Sequence, residues 1–158
     1  MTVLQGVLAE RDSWSAVGHC PIERTMAVAG TKSAMLIMRE AFYGTTRFDD
    51  FARRVGITKA ATSARLSELV AAGLLAKQPY REPGQRSRDE YVLTDAGTEF
   101  MPVVWAMFEW GRKHLEDTRL RLSHRDCGAE ASVEIRCAEG HLVPADELVV
   151  RLARPPRR

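Results

Sequence analysis

The chain has few cysteines and no long hydrophobic run. Its cysteines lie far apart, at Cys20, Cys127 and Cys137, and their odd number excludes the disulfide framework of a small secreted domain. No apolar stretch reaches the length that crosses a bilayer. Residues 1–15 lack the basic and apolar segments of a signal peptide. We therefore expect a cytoplasmic protein that does not contact a membrane.

A large net charge is also absent, because 23 Lys and Arg residues balance 21 Asp and Glu residues to give a formal net charge of +2. With 45% hydrophobic and 28% charged residues, the composition is that of a folded domain and not of a disordered chain. The arginines are clustered, and local basic clusters attract polyanions even when the whole molecule is nearly neutral. One cluster comprises Arg81, Arg86 and Arg88, and a second comprises Arg151, Arg154, Arg157 and Arg158.

The common sequence patterns of catalysis are missing too. The chain has no Cys-x-x-Cys pair, no glycine-rich phosphate loop and no Ser-His-Asp ordering. The adjacent Asp49 and Asp50 are explained as negative charge near a helix N-terminus. A thiol-dependent enzyme that uses Cys20 and His19 is the weaker alternative. We therefore expect neither an enzyme nor a cofactor.

Four helices are predicted between residues 21 and 73, each with recognisable start and end signals. Proline suits a first helical position, threonine side chains cap helix N-termini, and glycine commonly follows a helix. The paired start and end signals are Pro21 and Gly30, Thr31 and Gly44, Thr46 and Gly56, and Thr58 and Gly73.

The third and fourth of these helices are joined by a very short turn around Gly56. Asp49 follows Thr46 by three residues, so we expect a capping box at the start of the third helix. Two amphipathic helices joined so tightly are typical of a helix-turn-helix. The residues expected to face the core are Phe48, Phe51, Ala52 and Val55 in the third helix, and Leu66, Leu69 and Val70 in the fourth.

A basic β-hairpin and a long helix are predicted next. Residues 75–80 form one strand, Pro83-Gly84-Gln85 a turn and residues 90–93 the returning strand. Thr94 then caps a helix that runs to about Leu120. This helix carries apolar residues on more than one side, so we expect it to contact a second copy of the chain as well as its own domain.

The remaining segment has a different pattern. Val133, Ile135 and Cys137 alternate with polar residues, as do parts of residues 147–152, which predicts a small β-hairpin. We therefore divide the chain into an N-terminal dimerisation arm (1–20), a winged helix-turn-helix with a C-terminal dimer helix (21–120), and a β-rich appendage with a basic tail (121–158).

Several short motifs follow one another in a specific order from about Cys20 to His114. They are Cys20-Pro21, Arg47-Phe48, Ile57-Thr58, Arg65-Leu66, Glu68-Leu69, Gly73-Leu74-Leu75, Pro83-Gly84-Gln85-Arg86, Glu90-Tyr91-Val92-Leu93-Thr94, Gly97 and Trp110. In this order and spacing they resemble the HxlR-type winged helix-turn-helix regulators. The resemblance implies a mainly α fold with a small β wing and a long C-terminal dimerisation helix.

The resemblance also implies a homodimeric repressor or activator that binds double-stranded operator DNA. Its dimer contacts would come from the N-terminal segment and the long C-terminal helix. The chain departs from the family pattern at Ser33, where a tryptophan is usual, and at Ala61 and Thr62, where larger apolar residues are common. These departures predict a slightly different core within the same fold.

The fourth helix is the predicted reading helix, because a helix-turn-helix places its second helix in the major groove and a wing holds the flanking backbone. When Leu66 and Leu69 face inward, the outward face carries hydroxyl and methyl groups and no Asn or Gln. We therefore expect part of the specificity to come from alanine contacts with thymine methyl groups and from DNA shape. There are two alternatives to DNA binding. The arginines Arg86 and Arg88 would lie in a solvated loop without a partner role, or the winged helix would bind protein instead of DNA. The predicted DNA-binding residues are Thr58, Lys59, Ala60, Ser63, Arg65, Ser67, Arg86 and Arg88.

Cys20 is a candidate redox sensor. It directly precedes Pro21 at a predicted helix start, where free N–H groups favour the thiolate, and His19 lies beside it. Some members of the resembled family sense oxidants or electrophiles through an N-terminal cysteine at this position. The alternative is an inert cysteine that packs against the core.

A zinc site in the tail is a further hypothesis. The spacing of its His and Cys residues is compatible with tetrahedral zinc. Some members of the resembled family carry two cysteine pairs in this tail, and Gly140 stands where the resemblance implies that the second pair would be completed. We therefore favour a degenerate appendage without metal, which metal analysis of untagged protein would decide. The four candidate ligands are His124, Cys127, Cys137 and His141.

Overall fold

The architecture is a helix-turn-helix core followed by a two-stranded antiparallel sheet, in a computed structural model that describes residues 2–15, 18–81, 84, 87–116 and 118–152. Two short 3-10 turns, Gly6–Ala9 and Arg11–Ser13, precede the first helix. The mainly α fold with a small β wing is confirmed. The elements are β1 (Val3–Leu4), α1 (Pro21–Ala29), α2 (Lys32–Phe42), α3 (Phe48–Val55), α4 (Lys59–Ala71), β2 (Leu75–Tyr80), β3 (Arg88–Leu93), α5 (Asp95–Glu99), α6 (Met101–His114) and β4 (Val149–Val150).

The core lies between α2, α3 and α4 and is closed by β2 and β3. The predicted core faces of α3 and α4 are confirmed, with Phe48, Val55 and Val70 packed as partly buried residues at its edge. The Phe51 ring meets the Tyr91 ring edge to face, with centroids 6.3 Å apart, which is a preferred arrangement for aromatic pairs. The large apolar side chains that are fully buried are Ile37, Met38, Phe51, Leu66, Leu69 and Leu75.

Helix α3 begins differently from the sequence prediction. Its N-cap is Arg47, whose side chain makes no capping hydrogen bond, so the predicted capping box of Thr46 and Asp49 is wrong. The Tyr91 N–H donates to the Thr46 carbonyl (2.8 Å), and Arg47 forms a β-bridge with Glu90. Because this pairing keeps the segment extended beside β3, the helix starts one residue later than predicted.

The tight turn between α3 and α4 is confirmed. Gly56 ends α3 in the left-handed region at φ 72°, which glycine adopts without steric cost. The Thr58 hydroxyl then accepts a hydrogen bond from the Ala61 N–H (3.2 Å) and so caps α4 as predicted.

The long helix predicted from Thr94 to about Leu120 is two helices that end earlier. Thr94 caps α5, since its hydroxyl accepts a hydrogen bond from the Gly97 N–H (3.0 Å). The helix is interrupted at Phe100, and α6 carries Pro102 in its first turn. Proline has no N–H to donate to the carbonyl four residues earlier, so a continuous helix is disfavoured there. Helix α6 ends at His114, well before Leu120.

The β-hairpin predicted in the tail is also wrong, because β4, within residues 147–152, pairs with β1 and the segment around Val133 and Ile135 forms no strand. Within the described part of the tail, residues 118–152, these side chains are exposed and belong to no named strand. Two isolated β-bridges, Ser123 with Glu130 and Arg136 with Leu142, close two separate small loops instead. Each loop contains a glycine in the left-handed region, Gly128 or Gly140, so the segment turns twice instead of forming one longer hairpin.

The two ends of the described chain contact each other. Strand β1 pairs in parallel with β4, Val3 opposite Val149 and Leu4 opposite Val150. The basic tail at Arg154, Arg157 and Arg158 lies outside the described residues. Across the ranges that the structure covers, every helix is too short or too polar to cross a bilayer.

We predict that Gly97→Ala destabilises the domain by about 2–3 kcal/mol. A Cβ at Gly97 would overlap the Leu74 carbonyl oxygen and lie 3.2 Å from the Leu93 side chain, so α5 would have to move away from the start of β2. The measurement is urea unfolding followed by circular dichroism at a fixed protein concentration.

Gly111→Ala is the matched control, because the nearest atom to its added Cβ is a Leu115 side-chain carbon at 3.8 Å. Alanine is the better helix former, so this variant should be as stable as the unchanged protein or more stable by up to about 1 kcal/mol. Equal stabilities for the two variants would contradict the close packing of α5 against Leu74.

Candidate nucleic-acid interface

The outward face of α4 is small and lies in the orientation that the sequence predicts. Leu66, Leu69 and Thr62 are fully buried, so the opposite side of the helix is turned to solvent. This face has two hydroxyl groups and two methyl groups, and it has no bulky side chain that would keep a base edge at a distance. The exposed residues on it are Ala60, Ser63, Ala64 and Ser67.

Two threonine hydroxyls near the start of α4 already have partners within the chain. The Thr58 hydroxyl accepts from the Ala61 N–H, and the Thr62 hydroxyl donates to the Thr58 carbonyl (2.9 Å). The second bond satisfies the hydroxyl of Thr62, which is fully buried at a position where larger apolar residues are common in the resembled family. Thr58, a predicted DNA-binding residue, therefore has a structural role as the cap of α4.

Arg65 lies on the flank of α4 and not on its outward face. Its side chain is 27% exposed and donates a hydrogen bond from Nη2 to Glu68 Oε1 (2.7 Å). This ion pair joins residues three positions apart on the same helix, which is a common spacing for stabilising pairs. The predicted base contact of Arg65 would require its guanidinium to leave Glu68.

Lys59 at the tip of α4 is paired with Asp49 in the first turn of α3. The Lys59 Nζ lies 2.8 Å from Asp49 Oδ1, and both side chains are exposed. The hydrogen bond from Lys59 and its positive charge are the main reasons that the pKa of the Asp49 carboxyl lies below its ordinary value, and the charge of Arg88 adds a smaller effect. Asp49 therefore carries its negative charge beside two of the predicted DNA-binding cations.

The two strands of the wing pair in antiparallel register from Leu75 opposite Leu93 to Tyr80 opposite Arg88. Strand β3 begins at Arg88, two residues before its predicted start at Glu90. Arg88 is exposed at the outer end of this strand. Arg86 and most of the predicted turn at Pro83-Gly84-Gln85 lie outside the described residues.

Arg47 joins the start of α3 to both strands of the wing. Its guanidinium carbon lies 3.1 Å from the centroid of the Tyr80 ring, and its Nε lies 3.9 Å from Glu90 Oε2. A guanidinium over an aromatic ring is attracted by the ring's negative face. The wing is thus held relative to the helix-turn-helix near its outer end. In the sequence Arg47 is only one part of a family motif, and no local signal links it to Tyr80.

Cys20 stands at the N-cap of α1 and is half-buried. Pro21 opens the helix as predicted, and the Cys20 carbonyl accepts a hydrogen bond from the Arg24 N–H (3.0 Å). Glu23 in the same turn accepts a hydrogen bond from the Gly18 N–H (2.8 Å). The thiol thus lies at the positive end of a helix that already has one acidic side chain nearby.

The four candidate zinc ligands do not form one cluster. His124 Nδ1 lies 3.2 Å from Cys127 Sγ, whereas Cys137 and His141 are joined by a backbone hydrogen bond in the second small loop. Among the described residues, no three His, Cys, Asp or Glu side chains are grouped so that they could hold a metal ion.

Helices α1 and α6 expose large apolar side chains. Along α6 the predicted stripe is only partly covered, because Val104 is buried while Met107 and Leu115 are exposed. Trp105 packs against Phe42, Tyr43 and Phe108, so it belongs to the domain itself. Large exposed apolar patches are often found at interaction sites. The most exposed members are Ile22 and Met26 of α1, Met107 and Trp110 of α6, and Leu115 just beyond it.

The chain is similar to proteins that carry the same fold. It is 34% identical over 119 residues to the HTH-type transcriptional regulator Rv3095 of Mycobacterium tuberculosis, which covers 73% of this chain and 74% of that protein. The crystal structure of PA1607, a proposed transcription factor, superposes with a TM-score of 0.74 at 32% identity and covers 89% of this chain and 98% of that one. The redox regulator HypR in its reduced form superposes with a TM-score of 0.56 at 31% identity, covering 61% of this chain and 95% of that one.

A family model described as HxlR-like helix-turn-helix matches residues 28–119. The matched segment contains α2 to α6 and the wing, which are the elements that form the core and the outward face of α4. The chain belongs to the family of HxlR-like helix-turn-helix proteins.

Proposed function

We propose that the chain is a transcriptional regulator that binds operator DNA as a homodimer. Helix α4 would enter the major groove, and the wing would contact the flanking backbone. The observation that carries this proposal is the bare outward face of α4 next to a wing that Arg47 holds in place. The family of the chain, whose matched members are transcriptional regulators, confirms that it is not an enzyme.

The chemistry of α4 favours readout by small groups. Ser63 and Ser67 supply hydroxyls that donate or accept, and Ala60 supplies a methyl group for contact with thymine. Lys59 and Arg65 would add charged donors from the two flanks once they leave their carboxylate partners. Thr58 would contribute chiefly by fixing the start of the helix. With so few groups available, sequence-dependent DNA shape would supply the rest of the specificity.

Arg88→Gln should weaken binding to all duplexes by a similar factor, on the order of tenfold at low salt, because glutamine cannot neutralise the phosphate that Arg88 would contact. The slope of log affinity against log salt should fall in magnitude by about 0.9 for each phosphate that is no longer neutralised. The measurement is fluorescence anisotropy of labelled genomic duplexes, first selected by the unchanged protein, over a range of salt concentrations.

Arg125→Gln is the control for the removed charge. Arg125 is exposed and lies in the tail, in the small loop between Ser123 and Glu130. It should leave the slope unchanged. Equal effects of the two substitutions would contradict the placement of the wing on DNA. If neither the unchanged protein nor Arg88→Gln binds any duplex while partner proteins still bind, the alternative of a protein-binding winged helix would be favoured.

The homodimer is proposed because α6 leaves apolar side chains uncovered in a single chain. A second copy that packs α6 against its counterpart would bury Met107, Trp110 and Leu115. The N-terminal arm lies beside β4 of its own chain, and we propose that it extends this interface. Two-fold symmetry would present two α4 helices to successive major grooves.

Met107→Glu should convert the dimer into a monomer, because a carboxylate placed on each copy would be buried against the other without a partner. Light scattering coupled to size exclusion measures the mass directly. Ala64→Glu is the reciprocal variant: it should keep the dimer mass and abolish DNA binding, because its new charge faces the duplex. A dimeric Met107→Glu protein would place the interface elsewhere.

We further propose that Cys20 makes DNA binding responsive to oxidants. The thiol is half-buried at the N-terminus of α1, and the chain is similar to HypR, which is a redox regulator. Hydrogen peroxide would oxidise the Cys20 side chain to a sulfenic acid and would itself be reduced to water. A polar oxygen added at this half-buried position would shift α1, which packs against both α2 and α4.

Peroxide should weaken DNA binding by the unchanged protein on the order of tenfold, which is a typical size for coupling between two sites. Cys20→Ser should abolish this response, whereas Cys127→Ser, which removes an exposed thiol of the tail, should retain it. A response that persists in Cys20→Ser would show that another group senses the oxidant.

A further inference from the structure

Lys59 and Asp49 form an ion pair that no local feature of the sequence indicates. Lys59 is the first residue of α4 and points to solvent at the edge of the proposed reading face. Asp49 belongs to the preceding helix, and its carboxylate lies 2.8 Å from the Lys59 ammonium. Arg88 of the wing is close enough to influence the same carboxylate.

This pair contributes little to the stability of the fold. Both side chains are more than half exposed, at 77% for Lys59 and 64% for Asp49. Exposed ion pairs are strongly screened by water and salt. Asp49 also supplies negative charge in the first turn of α3, which favours that helix whether or not Lys59 is nearby. The pairing with Lys59, a cation of the proposed DNA-binding surface, can in addition affect binding.

The effect on binding would come from competition between two anions for one cation. A phosphate that contacts the Lys59 ammonium must either displace Asp49 or come close to its carboxylate. In the first case the existing ion pair is broken, and in the second case two negative charges repel each other. Both effects weaken contacts made to the backbone alone, which supply most of the binding to non-specific DNA.

We propose that Asp49 is a specificity-determining residue that limits non-specific DNA binding by occupying Lys59. This inference rests on the proposed function, because it assumes that α4 and the wing face a duplex. Asp49 acts through Lys59 and needs no contact with a base. The effect of Asp49 is greatest on DNA sequences with which the protein makes phosphate contacts but no specific base contacts.

The test measures the affinity of full-length Asp49→Asn for a fluorescein-labelled duplex of random sequence over a range of salt concentrations. Asparagine keeps the size of the side chain and removes its charge. Affinity should rise on the order of threefold to tenfold at low salt, and the slope of log affinity against log salt should steepen by up to about 0.9, the value for one added phosphate contact.

Two further variants separate this effect from a change in net charge or in α3. Asp50→Asn removes the same charge from the same helical turn, but Asp50 is paired with Arg53 on its own helix, so the affinity should hardly change. In a Lys59→Gln background, Asp49→Asn should no longer raise the affinity, because the cation that it frees is gone.

Three results would overturn the inference: unchanged affinity in Asp49→Asn, an equal rise in Asp50→Asn, or a rise that persists without Lys59. In each of these cases the unchanged protein still binds DNA, so the proposed function stands. If the unchanged protein and every variant fail to bind any duplex, the proposed function and this inference fail together.

Discussion

The extended segment before α3 fixes the wing against the helix-turn-helix. The Thr46 carbonyl and the backbone of Arg47 pair with β3, while the Arg47 side chain reaches Tyr80 and Glu90. One short stretch of chain thus contacts the wing and immediately enters the first helix of the helix-turn-helix. Because α3 and α4 are joined by a tight turn and β2 follows α4 after three residues, this junction and the packing of β2 against α4 together fix the position of the wing.

The charges around α4 suit a protein that must distinguish sequences. Its outward face carries no charge, and the cations at its flanks, Lys59 and Arg65, each have a carboxylate partner. A bare cationic helix would bind any duplex through its phosphates. If α4 faces a duplex as we propose, the ion pairs would weaken that general attraction, and contacts with base edges and the shape of the groove would contribute a larger share of the binding.

The sequence predictions that failed did so where one local signal competed with a contact to another part of the chain or with a second local signal. The Thr46 and Asp49 pair matched a capping box, but Thr46 is paired with β3 and Asp49 with Lys59. The apolar pattern after Thr94 continued through Pro102, although a proline disfavours an unbroken helix. Alternation around Val133 did not produce a hairpin, because glycine turns close two smaller loops there.

The helices of the core, the caps at Thr31 and Thr58, the turn at Gly56 and the buried faces of α3 and α4 follow from the amino-acid sequence alone. These features depend on residues within a few positions of one another, so their signals are local. The folded chain was needed to establish which cation meets which carboxylate, where Arg47 holds the wing, and that β1 pairs with β4. These contacts join residues that are distant along the chain, and no local spacing encodes them.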